Sequence, residues 1–213
     1  GLQALGVPFK VLNDNIQKDI DAERERLARA PAVDERDPAW FSDYKNLDAV
    51  NAKLNAMVAD RPDLVSLIDV GTTLQGRHIY GVRISGPGTN KPAILFNGCH
   101  HAREWISVMV PMWIADKLVY TYETDPTIQS LVNRVEFFVI PVVNLDGYVY
   151  SWTNNRLWRK NRRLNSGGCY GVDDNRNYAT GWGGGGSSSD PCSDLYRGTA
   201  AFSEPETAAM RDF

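Results

Sequence analysis

The chain has 213 residues, enough for one large domain or for one domain and a fragment of another. Apolar residues make up 43% and charged residues 23%, the balance of a globular protein, and no apolar run approaches the roughly 18 residues of a membrane span. A net charge of −3 lacks the basic excess that a general nucleic-acid binder needs.

Residues 1 to 38 differ from the rest. Asn13 or Asp14 can cap a helix whose apolar side is the narrow stripe Ile16, Ile20 and Leu27. Its other faces carry Lys18, Asp19, Asp21, Glu23, Arg24, Glu25, Arg26 and Arg29, so the helix is mostly solvated and marginal alone. Pro31 and Pro38 bound a polar link containing Arg36. We read this part as a connecting helix and linker, and residues 39–213 as a domain. No secretory leader pattern is visible in the N-terminal residues.

The compact part starts near Trp40. Leu47, Val50, Leu54, Met57 and Val58 predict a helix. Strands follow over Val65–Val70 and Ile79–Ile84, separated by a turn at Gly71–Gly76. Ala93–Phe96 is a short apolar run of the kind expected in a central strand buried on both faces. A largely apolar helix is expected from Trp105 to Tyr122, kinked or started by Pro111. Val135–Val143 is another strand. This alternation predicts an α/β sheet covered by helices on both faces. From Asn144 to about residue 200 the chain is rich in Gly, Asn, Arg and Ser, and a loop this long inside a compact domain carries function or is disordered. Asn144-Leu145-Asp146-Gly147 reads as a tight turn. Ser203, with Glu206 three residues on, predicts a helix start by a capping box. No internal repeat is present.

The chemistry concentrates in Gly98–Ser107. His101 and Glu104 stand three residues apart just after an apolar strand, and imidazole and carboxylate are two of the ligand types of a catalytic zinc. The plainer alternative is a His–Glu hydrogen bond at a helix start. His100 competes as a ligand, but along an extended strand it faces away from His101. Arg103, Arg156, Arg159 and Arg176 form a second group, suited to a substrate carboxylate and to a carbonyl that becomes an oxyanion. They can equally be paired with Asp173, Asp174 and Asp190. His78, in a strand beside Tyr80, reads as structural. Of the three cysteines, Cys169 and Cys192 flank a polar loop that a disulfide would stabilise by about 3 kcal/mol, and Cys99 reads as a buried thiol. Three reduced cysteines remain the alternative.

Taken together, the segments Gly98–Ser107, Asn144–Gly147, Asn155–Lys160 and Asp173–Asn177, with the Cys169/Cys192 pair, resemble the zinc metallocarboxypeptidases of the pancreatic carboxypeptidase A/B type (funnelins). They occur in family order and at family-like spacing. Leu5–Phe9 and the charged helix resemble the end of that family's inhibitory pro-segment.

The resemblance implies an α/β/α sandwich around a mixed, mostly parallel sheet, of which this sequence holds the N-terminal two-thirds. It implies one Zn2+ with His101 and Glu104 as ligands, and Asn175 and Arg176 on the substrate's terminal carboxylate. Arg159 would stabilise the oxyanion, and Arg103 and Arg156 would line the path of the upstream peptide. It also implies a Cys169–Cys192 disulfide and secretion. The family's third zinc histidine, closing tyrosine, general-base glutamate and specificity pocket are expected beyond residue 213. Asp174 stands where the family often has an apolar residue, Leu145 where it often has proline, and Tyr178 and Gly183–Gly186 depart from the pattern too.

The implied activity is removal of single C-terminal residues from peptides and proteins by a monomeric secreted enzyme. It would be made as a zymogen and activated by a trypsin-like protease at Arg29 or Arg36, with no nucleic-acid or membrane partner. Two rival readings are a non-catalytic relative that binds zinc or peptide C-termini and a hydrolase of small N-acyl amino acids. With two ligands of three, the 213-residue chain alone is expected to bind zinc weakly and to turn over negligibly.

Overall fold

The computed structural model describes residues 2–213. They form two compact units, one ending at Val33 and one spanning Asp34–Phe213. In the first, helix α1 runs Ile16–Arg29 and none of its side chains is buried, as its polar faces predict. Its cap differs from expectation. Asn15 holds the N-cap position without a side-chain bond, because the Asn13 carboxamide instead accepts the Asn15 N–H and donates to Asp19.

In the second unit, helix α2 (Leu47–Asp60) begins at Asn46, whose Oδ1 accepts the Ala49 N–H at 3.0 Å. Its buried stripe is Val50, Lys53, Leu54 and Met57. Lys53 is a charge inside an apolar stripe, and its partners explain it. Its ammonium lies 2.7 Å from Asp116, bonds Glu35 O, and sits 4.9 Å from the ring centroids of both Trp40 and Phe41.

Four strands make one mixed sheet in the order β1-β2-β4-β3: β1 Val65–Thr72, β2 His78–Ile84, β3 Ala93–Asn97 and β4 Glu136–Ile140. β2 pairs antiparallel with β1 and β4, and β3 runs parallel to β4. Gly81 lets β4 approach, since a Cβ there would lie 2.5 Å from Val139 O. His78 pairs with Asp69 at 2.7 Å and stacks on Tyr80, the structural role expected of it. The apolar run of β3 was expected in the sheet centre. Among the described residues it is the edge, with Ile94 and Leu95 about 40% exposed. An apolar run records that a strand suits two-sided burial, not which neighbours this stretch of chain supplies.

The helices complete the expected α/β/α sandwich, but among the described residues two of the three strand pairings are antiparallel, so the mixed sheet is not the mostly parallel one expected. Helix α3 (Ile106–Tyr120) carries Pro111 inside one continuous helix and packs on β4, and α4 (Pro126–Arg134) packs on α3. The Asp125 carboxylate caps α4 through the Thr127 and Ile128 N–H groups. α6 (Pro205–Asp212) packs on β1. The tight turn expected at Asn144–Gly147 is instead the start of helix α5 (Leu145–Thr153), capped by Asn144. Gly147 serves close approach there, a Cβ meeting Lys160 O at 2.4 Å. α6 also starts differently from expectation. Glu204 is its N-cap residue without a side-chain bond, because Ser203 Oγ turns to Glu204 Oε1 and to Asn177. The long loop is held by the Cys169–Cys192 disulfide, which spans 23 residues, while Cys99 is a buried free thiol.

Candidate active site

The bend after β3 sets the geometry. Ser107 passes so close to Gly98 that a Cβ there would lie 2.0 Å from its carbonyl oxygen, and Cys99 adopts a φ of 55°. Asn144, four residues beyond β4 and fully buried, fastens this bend. Its Nδ2 donates to His100 O at 3.0 Å and to Arg159 O at 3.5 Å, while its Oδ1 accepts from Gly147 N. Ala102 N adds a bond to Arg159 O at 3.0 Å. One side chain thus joins the turn bearing His101, the segment bearing Arg159 and the start of α5.

The two adjacent histidines diverge, but β3 ends at Asn97 and Cys99 is left-handed, so the bend and not strand alternation separates them. His100 Nε2 meets the Tyr178 hydroxyl at 2.8 Å. Burial, reinforced by the neighbouring His101, drops its pKa to about 4, so it is neutral at ordinary pH. His101 faces the other way. Its Nδ1 lies 2.9 Å from Glu104 Oε1, and its Nε2 lies 3.3 Å from Asp173 Oδ1, an ion-pair distance without a well-aligned hydrogen bond.

Asp173 is the hub that joins the predicted residues. Its Oδ2 accepts Arg159 Nε at 3.1 Å and Nη2 at 2.9 Å, and its Oδ1 accepts the Asn175 N–H at 3.1 Å. Burial alone would raise this carboxyl. The interactions with His101 and Arg159 outweigh burial and hold it below the usual range. The pairing of Arg159 with an aspartate therefore holds, but the same aspartate also reaches His101.

The donor set fits a divalent zinc. A metal-bound histidine characteristically directs its second ring nitrogen at a carboxylate, as His101 Nε2 does toward Asp173. With that nitrogen protonated, Nδ1 presents a lone pair to the Glu104 oxygen 2.9 Å away. Two acceptors at that separation require a cation or a proton between them. Among the described residues no third His, Cys, Asp or Glu joins them to make a three-ligand group.

The remaining candidates form a rim. Arg156 stacks 3.6 Å from the Trp105 ring centroid and donates to Arg103 O at 2.8 Å, while Arg103 donates to Leu157 O at 3.3 Å. Trp105 in turn stacks on Trp152, with centroids 3.9 Å apart. Asn175 is exposed, and Arg176 is half-buried with its guanidinium on Gly186 O at 2.8 Å and Asn175 O at 3.0 Å. The four-glycine run thus supports Arg176. The structure brings His101, Glu104, Arg159 and Asn175 together through Asp173, and Arg103 with Arg156. Arg176 is reached from that group only through its neighbour Asn175. Residue reading missed Asn144 and Asp173 as organisers. The signal for Asp173 was its place two residues before Asn175.

A sequence profile described as zinc carboxypeptidase matches residues 50–213. The chain is 38% identical to carboxypeptidase A2 of Rattus norvegicus over 213 residues, covering all of this chain and 51% of that protein. It is 37% identical to carboxypeptidase B of Bos taurus, covering 98% of this chain and 49% of that one. The crystal structure of thrombin activatable fibrinolysis inhibitor superimposes with a TM-score of 0.89 at 34% identity, covering 100% of this chain and 53% of that one. The chain spans about half the length of the curated relatives it matches. On the profile match, which takes in most of its residues, the chain belongs to the zinc carboxypeptidase family.

Proposed function

We propose that the protein containing this chain is a secreted, monomeric zinc exopeptidase that releases single residues from peptide and protein C-termini. The observation that carries the reading is the Asp173 hub, which ties the His101–Glu104 donor pair to Arg159 and to the turn bearing Asn175 and Arg176. His101 and Glu104 would hold the ion, and Asp173 would orient the imidazole. Zinc bound there supplies Lewis acidity toward the scissile carbonyl and a water acidified toward neutrality. Arg159, fixed through two of its nitrogens, would offer its remaining Nη1 to the developing oxyanion. Asn175 and Arg176 would hold the terminal carboxylate, restricting cleavage to the chain end. Arg103 and Arg156 would line the approach of the upstream peptide. In the full-length, zinc-loaded protein, a peptide with a free C-terminus is cut and its C-terminal amide is not. Equal rates on both would sink the reading. Zinc stoichiometry measured by elemental analysis, and lost in His101→Ala, tests the metal site apart from turnover.

Residues 1–38 serve, in this reading, as the end of a pro-segment, in keeping with the thrombin-activatable relative. The two candidate activation points differ physically. Arg36 sits in a turn: Asp37 N donates to Asp34 O at 3.0 Å, Glu35 O is bonded by Lys53, and the Arg36 guanidinium clasps Asp60 at 2.7 and 2.6 Å. Arg29 ends α1 with its side chain 80% exposed, and Ala30 after it is extended. A protease binds its substrate extended, so the preferred bond is Arg29–Ala30. Brief trypsin treatment with intact-mass mapping would place the first linker cut there, and Arg29→Gln would block it. A first linker cut after Arg36 would reject this assignment.

A further inference from the structure

Five carboxylates are buried around the start of α6: Asp146, Asp173, Asp174, Glu204 and Glu206, each at most 1% exposed. Three arginines answer three of them. Arg77 pairs with Asp146 at 2.6 Å, Arg159 with Asp173 at 2.9 Å and Arg163 with Glu204 at 2.6 Å. His101 also faces Asp173. The nearby Lys160 ammonium is spent on Ser193 O at 2.8 Å and Pro191 O at 3.4 Å. Asp174 and Glu206 have no such cation among the described residues. Neither oxygen of Asp174 accepts a hydrogen bond, nor does Glu206 Oε1, and the Glu206 carboxylate is met only by its own backbone N–H and by a 3.4 Å contact from Asn161 to Oε2. Two charges buried in this way are strongly disfavoured unless neutralised. No three-ligand group of acidic, His or Cys residues offers a metal site there among the described residues. A proton supplies both things the pair lacks, neutrality and an O–H donor.

We propose that Asp174 and Glu206 together retain one proton in the folded protein at neutral pH, and that this proton holds the Asp174–Arg176 turn against the start of α6. The mechanical link is Asn177. Its carbonyl accepts Phe202 N at 2.7 Å, and its Oδ1 accepts Glu204 N at 3.1 Å and the Thr207 hydroxyl at 2.6 Å. Asn177 thus ties the end of the turn that bears Asp174, Asn175 and Arg176 to the start of α6, the helix that bears Glu206. The other titratable groups that feel Asp174 are the Cys99 thiol and the Tyr178 phenol, both pushed up chiefly by burial and both neutral in this range. Burial first, then the charges of Glu206, Glu204, Asp173 and Asp146, raise the Asp174 carboxyl well above its usual range. Burial moves Glu206 up to about 7, against the pull of its own backbone N–H and Asn161 and with the push of Glu204 and Asp146.

The sign follows from proton counting. A carboxyl raised in the folded state keeps a proton that the unfolded chain has already shed. Stability therefore falls as pH rises from the ordinary carboxyl range to about 7. Thermal or urea unfolding from pH 5 to 8 reads this directly. The wild-type chain loses stability over that range, and Asp174→Asn, which mimics the neutral acid, removes up to about one decade per pH unit from the slope of the folding constant. Parallel curves would overturn the proposal. Infrared difference spectra of the wild-type chain detect the protonated carboxyl without relying on a variant; its absence at pH 7 would overturn it too, as would a tightly held cation at this cluster. The functional arm rests on the proposed peptidase reading. In the full-length enzyme, KM for a free-acid peptide rises above neutrality, kcat does not follow, and Asp174→Asn flattens the rise. An unchanged KM profile would refute the hold on the turn. A protein with no carboxypeptidase activity would reject the peptidase reading, while the unfolding and infrared arms would still decide the proton.

Discussion

Truncating Asn144 to alanine removes three roles at once, and the structure allows the cost to be worked out. The Oδ1–Gly147 bond is the N-cap of α5, and loss of a cap costs about 1 kcal/mol. Losing the Nδ2 bond leaves the partly buried His100 O unpaired, about 2 kcal/mol more. The 3.5 Å contact to Arg159 O is weak and adds little. The sum is about 3 kcal/mol, a hundredfold or more in the folding constant. For a chain of this size that lowers Tm by roughly 6–12 °C. Asn46 supplies the control. It caps α2 with the same chemistry but is exposed, so Asn46→Ala costs about 1 kcal/mol. Urea unfolding of both variants at constant m-value separates the two contributions. Equal losses would refute the reasoning, because they would mean that the bond to His100 O contributes nothing beyond the cap.

Asp173→Asn in the full-length protein keeps the shape of the hub but removes its charge. Zinc affinity should fall about 10- to 100-fold in competition with a chelating dye, and unchanged affinity would mean that Asp173 serves Arg159 alone. Replacing Cys169 and Cys192 together by serine should cost about 3 kcal/mol, given the 23-residue separation, and a loss under about 1 kcal/mol would show that the loop is held by its own hydrogen bonds.

Much of the site was legible because its residues are close in sequence. His101 and Glu104 fall on one side of a strand-to-helix bend, while His100 turns away through that bend, since the strand that alternation needed ends at Asn97. The organisers were not legible for the opposite reason. Asn144 acts on a carbonyl 44 residues away and Asp173 on an imidazole 72 residues away, distances at which no local pattern speaks. Asp146-Gly147 suggested a turn because those residues favour one. Here the glycine is needed for contact with Lys160 O, and the helix wins through the Asn144 cap. Lys53 was passed over because a charge interrupts an apolar stripe, yet Asp116 and the aromatic rings make it part of the core. β3 shows the converse, a run apolar enough for a sheet centre that lies at an edge among the described residues.

The Trp105–Trp152 stack has an optical consequence. Two indoles 3.9 Å apart and only 6° from parallel share their excited states, so the pair should leave an exciton signature in circular dichroism. Arg156 places a fixed positive charge 3.6 Å from the ring centroid of one of them, and that field tunes its emission colour. Trp105 directly follows Glu104 in the chain. A ligand that draws Arg156 aside would thus shift the protein's own fluorescence, giving the site a built-in reporter that needs neither a chromogenic peptide nor turnover.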